Sequence, residues 1–222
     1  MCTNFAPTRR AQWVKEALGV DLPSDYPYET YPGYVAPLVV KSRQTERVAC
    51  GLARFGLIPA WAKDEKISRH TYNARSETAP EKPSYRSAWL KRQFGIVLVD
   101  NFYEPSCESG KAVRWRIELA SSDPFGIACL WDRWTDPASG ERVVSFSMLT
   151  VNADEHPVMC KFHKPGDEKR TPVIIAPNFY EHWLCSDTTQ AAELMTWAHM
   201  PELLAMSAPL INQKSNRTGR IQ

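Results

Sequence analysis

The sequence predicts an α+β protein, one domain built on a mixed, largely antiparallel, barrel-like β core with helices at its periphery. Three observations carry this. Strand-like stretches succeed one another from "YVAPLVV" at 34–40 to "TPVIIAP" at 171–177. Helical stretches interrupt them irregularly, without the strict βαβα alternation of a doubly wound fold. The 222 residues, 43% hydrophobic and 23% charged, suit a single domain with a substantial core.

Each element has a local reason. "TRRAQWVKEALGV" reads as a short helix with Ala11, Val14 and Leu18 on one face, Thr8 as a cap and Gly19 as its stop. The Pro- and Tyr-rich stretch from Asp21 to Tyr34 is an extended arm whose aromatics need a surface to cover. "RVACGLARFGLIP" reads as strand, and "FGIVLVD" is a continuous apolar run suited to a central one. "AVRWRIEL" alternates, with Val113, Trp115, Ile117 and Leu119 on one face; "FGIACLWDRW" and "VVSFSMLTV" follow. Helices are expected at "SYRSAWLKR", capped by Ser84, at "NFYEHWL", and at "DTTQAAELMTWAHM", capped by Asp187. The C-terminal region is accordingly expected to be helical over 178–206, with a basic tail over 207–222.

A net charge of +2 does not demand an acidic partner, although Arg and Lys clusters could converge on one groove. No apolar run reaches membrane-spanning length and the first residues turn polar at once, so a cytoplasmic protein without a membrane partner is expected. The six cysteines are scattered and form no CxxC pair. His156, Cys160 and His163 lack the second half of a zinc site, so neither metal nor cofactor is expected.

Several residues could carry chemistry. Cys2 follows the initiator methionine. Removal of Met1 would leave an α-amine and a thiol on one residue, a 1,2-aminothiol, which condenses with an aldehyde to a thiazolidine or serves as an N-terminal nucleophile. On position alone, a merely small residue is the preferred reading of Cys2. In "NARSET", Asn73 and Arg75 could hold a sugar hydroxyl and a phosphate, or form an ordinary polar loop. "VLVDNFYE" delivers Glu104 from an apolar strand among aromatics, as a proton-transfer carboxylate or as a surface Glu at a sheet edge. His163, in a cationic loop before a strong strand, could act as acid or base. "FGLIPAW" presents Phe55 and Trp61, as core or as a stacking surface.

The ordered set of Met-Cys, "VAP" at 35–37, "FGLIPAW" at 55–61, "NARSET" at 73–78, "VDNFYE" at 99–104 and His163 followed by "RTPVII" resembles the SOS-response-associated peptidase (SRAP) family of abasic-site processing proteins. The matches span residues 2–177. The resemblance implies one SRAP domain over 1–222, acting in the DNA damage and SOS response. It implies binding of single-stranded DNA and a covalent thiazolidine link between processed Cys2 and the ring-opened abasic aldehyde. On the same ground Cys2, Asn73, Glu104 and His163 are the expected catalytic residues. Arg75 and Arg170 are expected at phosphates, and Pro37, Trp61 and Phe55 at the DNA-bending or stacking surface. Peptidase activity would amount to self-removal of Met1, which a host aminopeptidase explains equally well; lyase-type chemistry is also implied, and a monomer is expected. The chain departs from the family pattern at Thr3-Asn4, where Gly-Arg is usual, and in "KPGDEK", which separates His163 from Arg170; His156 is the alternative histidine. The rival readings are an N-terminal cysteine amidohydrolase or peptidase, and a non-covalent single-stranded DNA-binding module.

Overall fold

A computed structural model describes residues 2–42, 45–108 and 110–210. The expected element order holds through the first two-thirds of the chain. β1 (Asn4–Pro7) leads into α1 (Ala11–Leu18), which ends where Gly19 takes a left-handed φ of 70° and returns its N–H to the Lys15 carbonyl. Thr8 is not the cap: the helix is capped at Arg10 with no side-chain bond, and Thr8 Oγ1 accepts the Arg10 N–H just ahead of it. β2 (Val35–Lys41), β3 (Val48–Phe55) and β4 (Asn73–Arg75) follow the arm. α2 (Pro83–Leu90) begins on its proline, a residue pre-set for the first helical turn, with no capping bond from a Ser84 side chain. β5 (Phe94–Ser106), β7 (Phe125–Thr135) and β8 (Arg142–Asn152) are the long strands, with the shorter β6 (Val113–Leu119) between β5 and β7 in sequence. β9 (Arg170–Pro172) and β10 (Ile174–Ile175) precede α3 (Tyr180–Cys185) and α4 (Thr188–Leu194), and Asp187 caps α4 in a reciprocal capping box with Gln190.

Strands β7, β8, β3, β2 and β5 close into a five-stranded barrel, because β5 returns to pair with β7 from Phe94↔Leu130 to Val99↔Phe125. Within the barrel the pairings are antiparallel except where β3 meets β8, and β4, outside it, also runs parallel to β8. The sheet is therefore mixed and largely antiparallel, an α+β architecture. The helical expectation for 178–206 needs a correction. Residues Leu203–Ser207 form β11, pairing antiparallel with β6 from Leu203↔Leu119 to Ser207↔Trp115. That strand satisfies the outer edge of β6, a constraint no local helical pattern reveals. Of the expected basic tail, 211–222 lies outside the described residues.

The side chains sort into two apolar bodies. Phe94, Ile96 and Leu98 of β5 pack outward with Trp89 and Trp183, beneath the helices. Val97 and Val99 face inward with Phe5, Phe55, Phe102 and Phe146. Phe55 is the hub of the inner body: its ring lies 5.2 Å from Phe5, 5.3 Å from Phe146 and 5.9 Å from Tyr72. It is fully buried, which corrects its expected place on a DNA-stacking surface. Because Phe5 anchors β1, Phe55 also steadies the segment carrying Cys2. Phe55→Ala should cost about 3–5 kcal/mol, read as a lower denaturant midpoint in equilibrium unfolding.

Candidate active site

A break in strand periodicity builds the site. In a regular strand, Val97 and Val99 facing inward would send residues 101 and 103 inward and Glu104 outward. The β1–β5 register instead shifts between Ala6↔Asn101 and Pro7↔Val99, leaving Asp100 as the extra residue of a bulge. Beyond it the parity is reversed. Phe102 joins the inner core and Glu104 is carried in beside it, 1% exposed, while Tyr103 faces the other side under the Arg114 guanidinium.

Three segments deliver the remaining groups. β1, registered on β5 through Asn4↔Tyr103, brings the preceding Cys2 against Glu104, with its thiol fully buried. β4 runs parallel to β8 in the register Asn73↔Met148, and Asn73 Nδ2 donates to the Cys2 carbonyl oxygen at 2.7 Å. Asn73 is itself held, its carbonyl accepting from the Tyr85 hydroxyl at 2.9 Å. The 162–163 segment bridges Ser106 at the end of β5, and the His163 N–H donates to the Pro105 carbonyl. His163 has a left-handed φ of 67°, a conformation costly for a residue with a Cβ, and its Nε2 lies 3.5 Å from Glu104 Oε2.

The electrostatics follow from burial. Burial pushes the Glu104 carboxyl up to about 7. Burial and nearby positive charge press the His163 imidazole down to about 4. The Cys2 thiol is driven far up by burial, with the Glu104 charge adding to the effect, so it is a neutral thiol at physiological pH. Near neutrality the cluster thus holds a carboxyl poised between its two forms, a neutral imidazole and an un-ionised thiol, the inventory of a proton-transfer site.

The other expected residues are distributed differently. Pro37 lies buried in β2 opposite Leu52. Trp61 is 57% exposed, its indole N–H donating to the Pro83 carbonyl. Arg75 projects to the surface, half-exposed, and pairs with Glu168 at 2.6 Å. Arg170 is not the open cation that its cluster of basic neighbours suggests. It is 2% exposed, forked onto Glu77 at 2.9 and 2.8 Å, and bonded also to Glu168 and the Thr150 carbonyl. Glu77 and Glu168 are ionised partners. Burial works against the Glu77 charge but Arg170 outweighs it, and the hydrogen bond from Arg170 holds Glu168 low. Glu168 escaped the sequence reading. Its signal was a carboxylate two positions before Arg170, on the same side of an extended segment. His156, the alternative histidine, is engaged elsewhere: its Nδ1 accepts the Val158 and Met159 N–H groups, capping a turn. Among the described residues no cluster of His, Cys, Asp and Glu suits a metal ion.

A barrel that carries a cysteine at its second position beside a buried carboxylate and a strained histidine matches the SOS response associated peptidase (SRAP) family over residues 1–216, and the chain belongs to that family. It is 33% identical over 193 residues to the abasic site processing protein YoqW of Bacillus subtilis, spanning 83% of this chain and 80% of that one. It is 31% identical over 132 residues to the abasic site processing protein HMCES of Gallus gallus, covering 50% of this chain and 39% of that one. Among solved structures, a Bordetella bronchiseptica protein superposes with a TM-score of 0.86 at 33% identity, over 94% of this chain and all of the other. A Bacteroides thetaiotaomicron protein shares the fold at a TM-score of 0.77 and 22% identity, over 93% and 91% of the two chains.

Proposed function

We propose that this protein captures abasic sites in single-stranded DNA through a covalent bond to Cys2, shielding the lesion. The convergence of Glu104, His163 and Asn73 on Cys2 carries the reading, and the abasic-site processing named for its relatives supports it.

Hydrolysis of the Met1–Cys2 bond creates the reactive α-amine; Met1 lies outside the described residues. The amine adds to the aldehyde of the opened sugar, giving a carbinolamine. Loss of water gives an imine. The thiol then adds across the C=N bond, sulfur to carbon and its proton to nitrogen, and the five-membered ring closes. Each step moves a proton. Glu104, near half-ionised at neutral pH, can accept one from the attacking amine and return it to the departing hydroxyl. His163, within reach of Glu104, relays protons and orients the carboxyl. The neutral thiol suits this order, since it needs to react only once the imine has formed. Asn73 fixes the Cys2 backbone and faces the sugar, and Trp61 offers an exposed ring to a flanking base.

The decisive test incubates the Met1-processed protein with a single-stranded oligonucleotide bearing one abasic site and resolves the mixture on a denaturing gel. A band that survives boiling is expected. Binding of intact strands without such a band would favour the non-covalent module, and turnover of amide substrates would favour the amidohydrolase. Arg75 is the proposed phosphate ligand. Arg75→Ala should weaken binding across all sequences and lower the slope of log K against log salt by about one, measured by titration at several salt concentrations.

A further inference from the structure

We propose that Glu168 is a built-in phosphate surrogate: its carboxylate occupies, between Arg75 and Arg170, the seat that a DNA phosphodiester takes when the strand binds. The inference rests on the DNA-binding reading above and extends it.

The donor geometry is that of an anion site. Glu168 Oε2 receives Arg75 Nη1 at 2.6 Å, and Oε1 receives Arg170 Nη1 at 2.7 Å and the Asn152 amide at 3.3 Å. Two guanidinium groups and an amide around a pair of anionic oxygens form an arrangement that a phosphodiester satisfies equally well.

The bonds of Arg170 show which part of the site is fixed and which is exchangeable. Its Nη2 is committed to Glu77 Oε2 at 2.8 Å and to the Thr150 carbonyl at 2.6 Å. One N–H of Nη1 goes to Glu77 Oε1 at 2.9 Å. The other N–H of Nη1 is spent on Glu168. Glu77 thus holds Arg170 in place, and Glu168 takes the last Nη proton, the buried Nε–H having no hydrogen-bond partner among the described residues. Charge gives the same division. Arg75 and Arg170 oppose Glu77 and Glu168, so the cluster is neutral. With Glu168 displaced it carries one positive charge, which one phosphodiester neutralises.

Glu168 is also the partner able to leave. Residues 164–168 are exposed, with Gly166 turning at a φ of 84°, whereas Arg170 is locked in β9 against β8. The loop is seated at its far end by the Lys169 N–H on Asp154 and by Lys169 Nζ on the Lys164 carbonyl. Half-exposed ion pairs such as Arg75–Glu168 are weak. A phosphate held along with the rest of a strand can therefore outcompete the carboxylate. Glu168 would then suppress binding of stray anions and set the affinity threshold for DNA.

The test is fluorescence anisotropy with a single-stranded oligonucleotide carrying a tetrahydrofuran abasic analogue, which lacks the aldehyde and reports binding alone. Glu168→Gln should bind on the order of threefold to tenfold more tightly at low salt, the range expected for releasing the half-exposed pair with Arg75 together with the part-buried one to Arg170. Asp167→Asn removes the same charge one residue away and should give no comparable gain. In Arg75→Ala/Glu168→Gln the gain should largely disappear. Unchanged or weaker binding by Glu168→Gln, or an equal gain in Asp167→Asn, overturns the inference. If Arg75→Ala weakens binding while Glu168→Gln gains nothing, the surrogate fails and the phosphate ligand stands. If Arg75→Ala binds like the wild type, the phosphate seat itself fails.

Discussion

Replacing Cys2 with alanine should abolish the heat-stable adduct with an abasic strand while leaving non-covalent binding of the same strand close to wild type. The thiol is fully buried, with a long contact to the Asn4 carbonyl, 3.6 Å, and a backbone partner at Tyr103, so it contributes little to holding DNA. The site's anchoring bond uses the backbone, Asn73 Nδ2 to the Cys2 carbonyl, which alanine preserves. Alanine also keeps the α-amine once Met1 is removed. The variant should therefore still form an imine, visible as a band after borohydride reduction and absent without it. That contrast isolates the sulfur. The imine hydrolyses, whereas the ring closed by the thiol survives, so the two gels read amine and thiol chemistry separately. An adduct from Cys2→Ala that survives boiling without reduction would sink the thiazolidine mechanism. Loss of DNA binding together with the adduct would show instead that the substitution disturbed the inner core that Cys2 shares with Phe5 and Phe102.

How far the site was legible in the sequence depends on how local each cause is. The α1 stop at Gly19 and the Asp187 cap of α4 are local chemistry and were readable. The placement of Glu104 was not. Its orientation turns on the bulge at Asp100, where β1 pairs with β5 across more than ninety residues of chain, and no window of "VLVDNFYE" contains that partner. The same holds for Phe55, whose neighbours Phe5, Tyr72 and Phe146 come from three distant segments. A large aromatic beside "GLIP" reads equally as core or stacking surface until those rings are brought together. Arg170 shows the same limit: the resemblance puts it at a phosphate, but its pairing with Glu77, ninety-three residues away, is invisible in the local sequence. β11 was missed because the need it meets, the unpaired edge of β6, belongs to another strand.

Glu104→Gln should slow crosslinking and at the same time make the protein more stable above neutral pH. The two effects have one cause. Burial disfavours the ionised carboxylate and lifts the group from its ordinary 4.5 to about 7. Poised there, it can both take and give a proton during amine addition and water loss. Glutamine keeps the shape and loses this ability, so the rate should fall by about 10² to 10⁴, measured by quenching the reaction on denaturing gels over a pH series. The wild-type profile should show an ionisation near 7 that is missing from the variant. The stability effect has a definite sign. A carboxyl whose folded value lies above its unfolded one favours the fold most while protonated. Its contribution is complete below about 4.5 and is lost as pH rises through about 7. That interval corresponds to about 3 kcal/mol at most, reduced wherever the charged form finds partners. Glutamine carries no such penalty. The difference in melting temperature, variant minus wild type, should therefore open in favour of Glu104→Gln between pH 4.5 and 7 and stay constant above. A difference that is flat across this range would mean that Glu104 titrates as an ordinary carboxylate. A variant both less stable at pH 8 and equally fast would remove Glu104 from the proton-transfer role altogether. A slow and stabilised variant would mark the buried carboxyl as a group the fold tolerates at a cost, held in place by the bulge at Asp100 for the chemistry at Cys2.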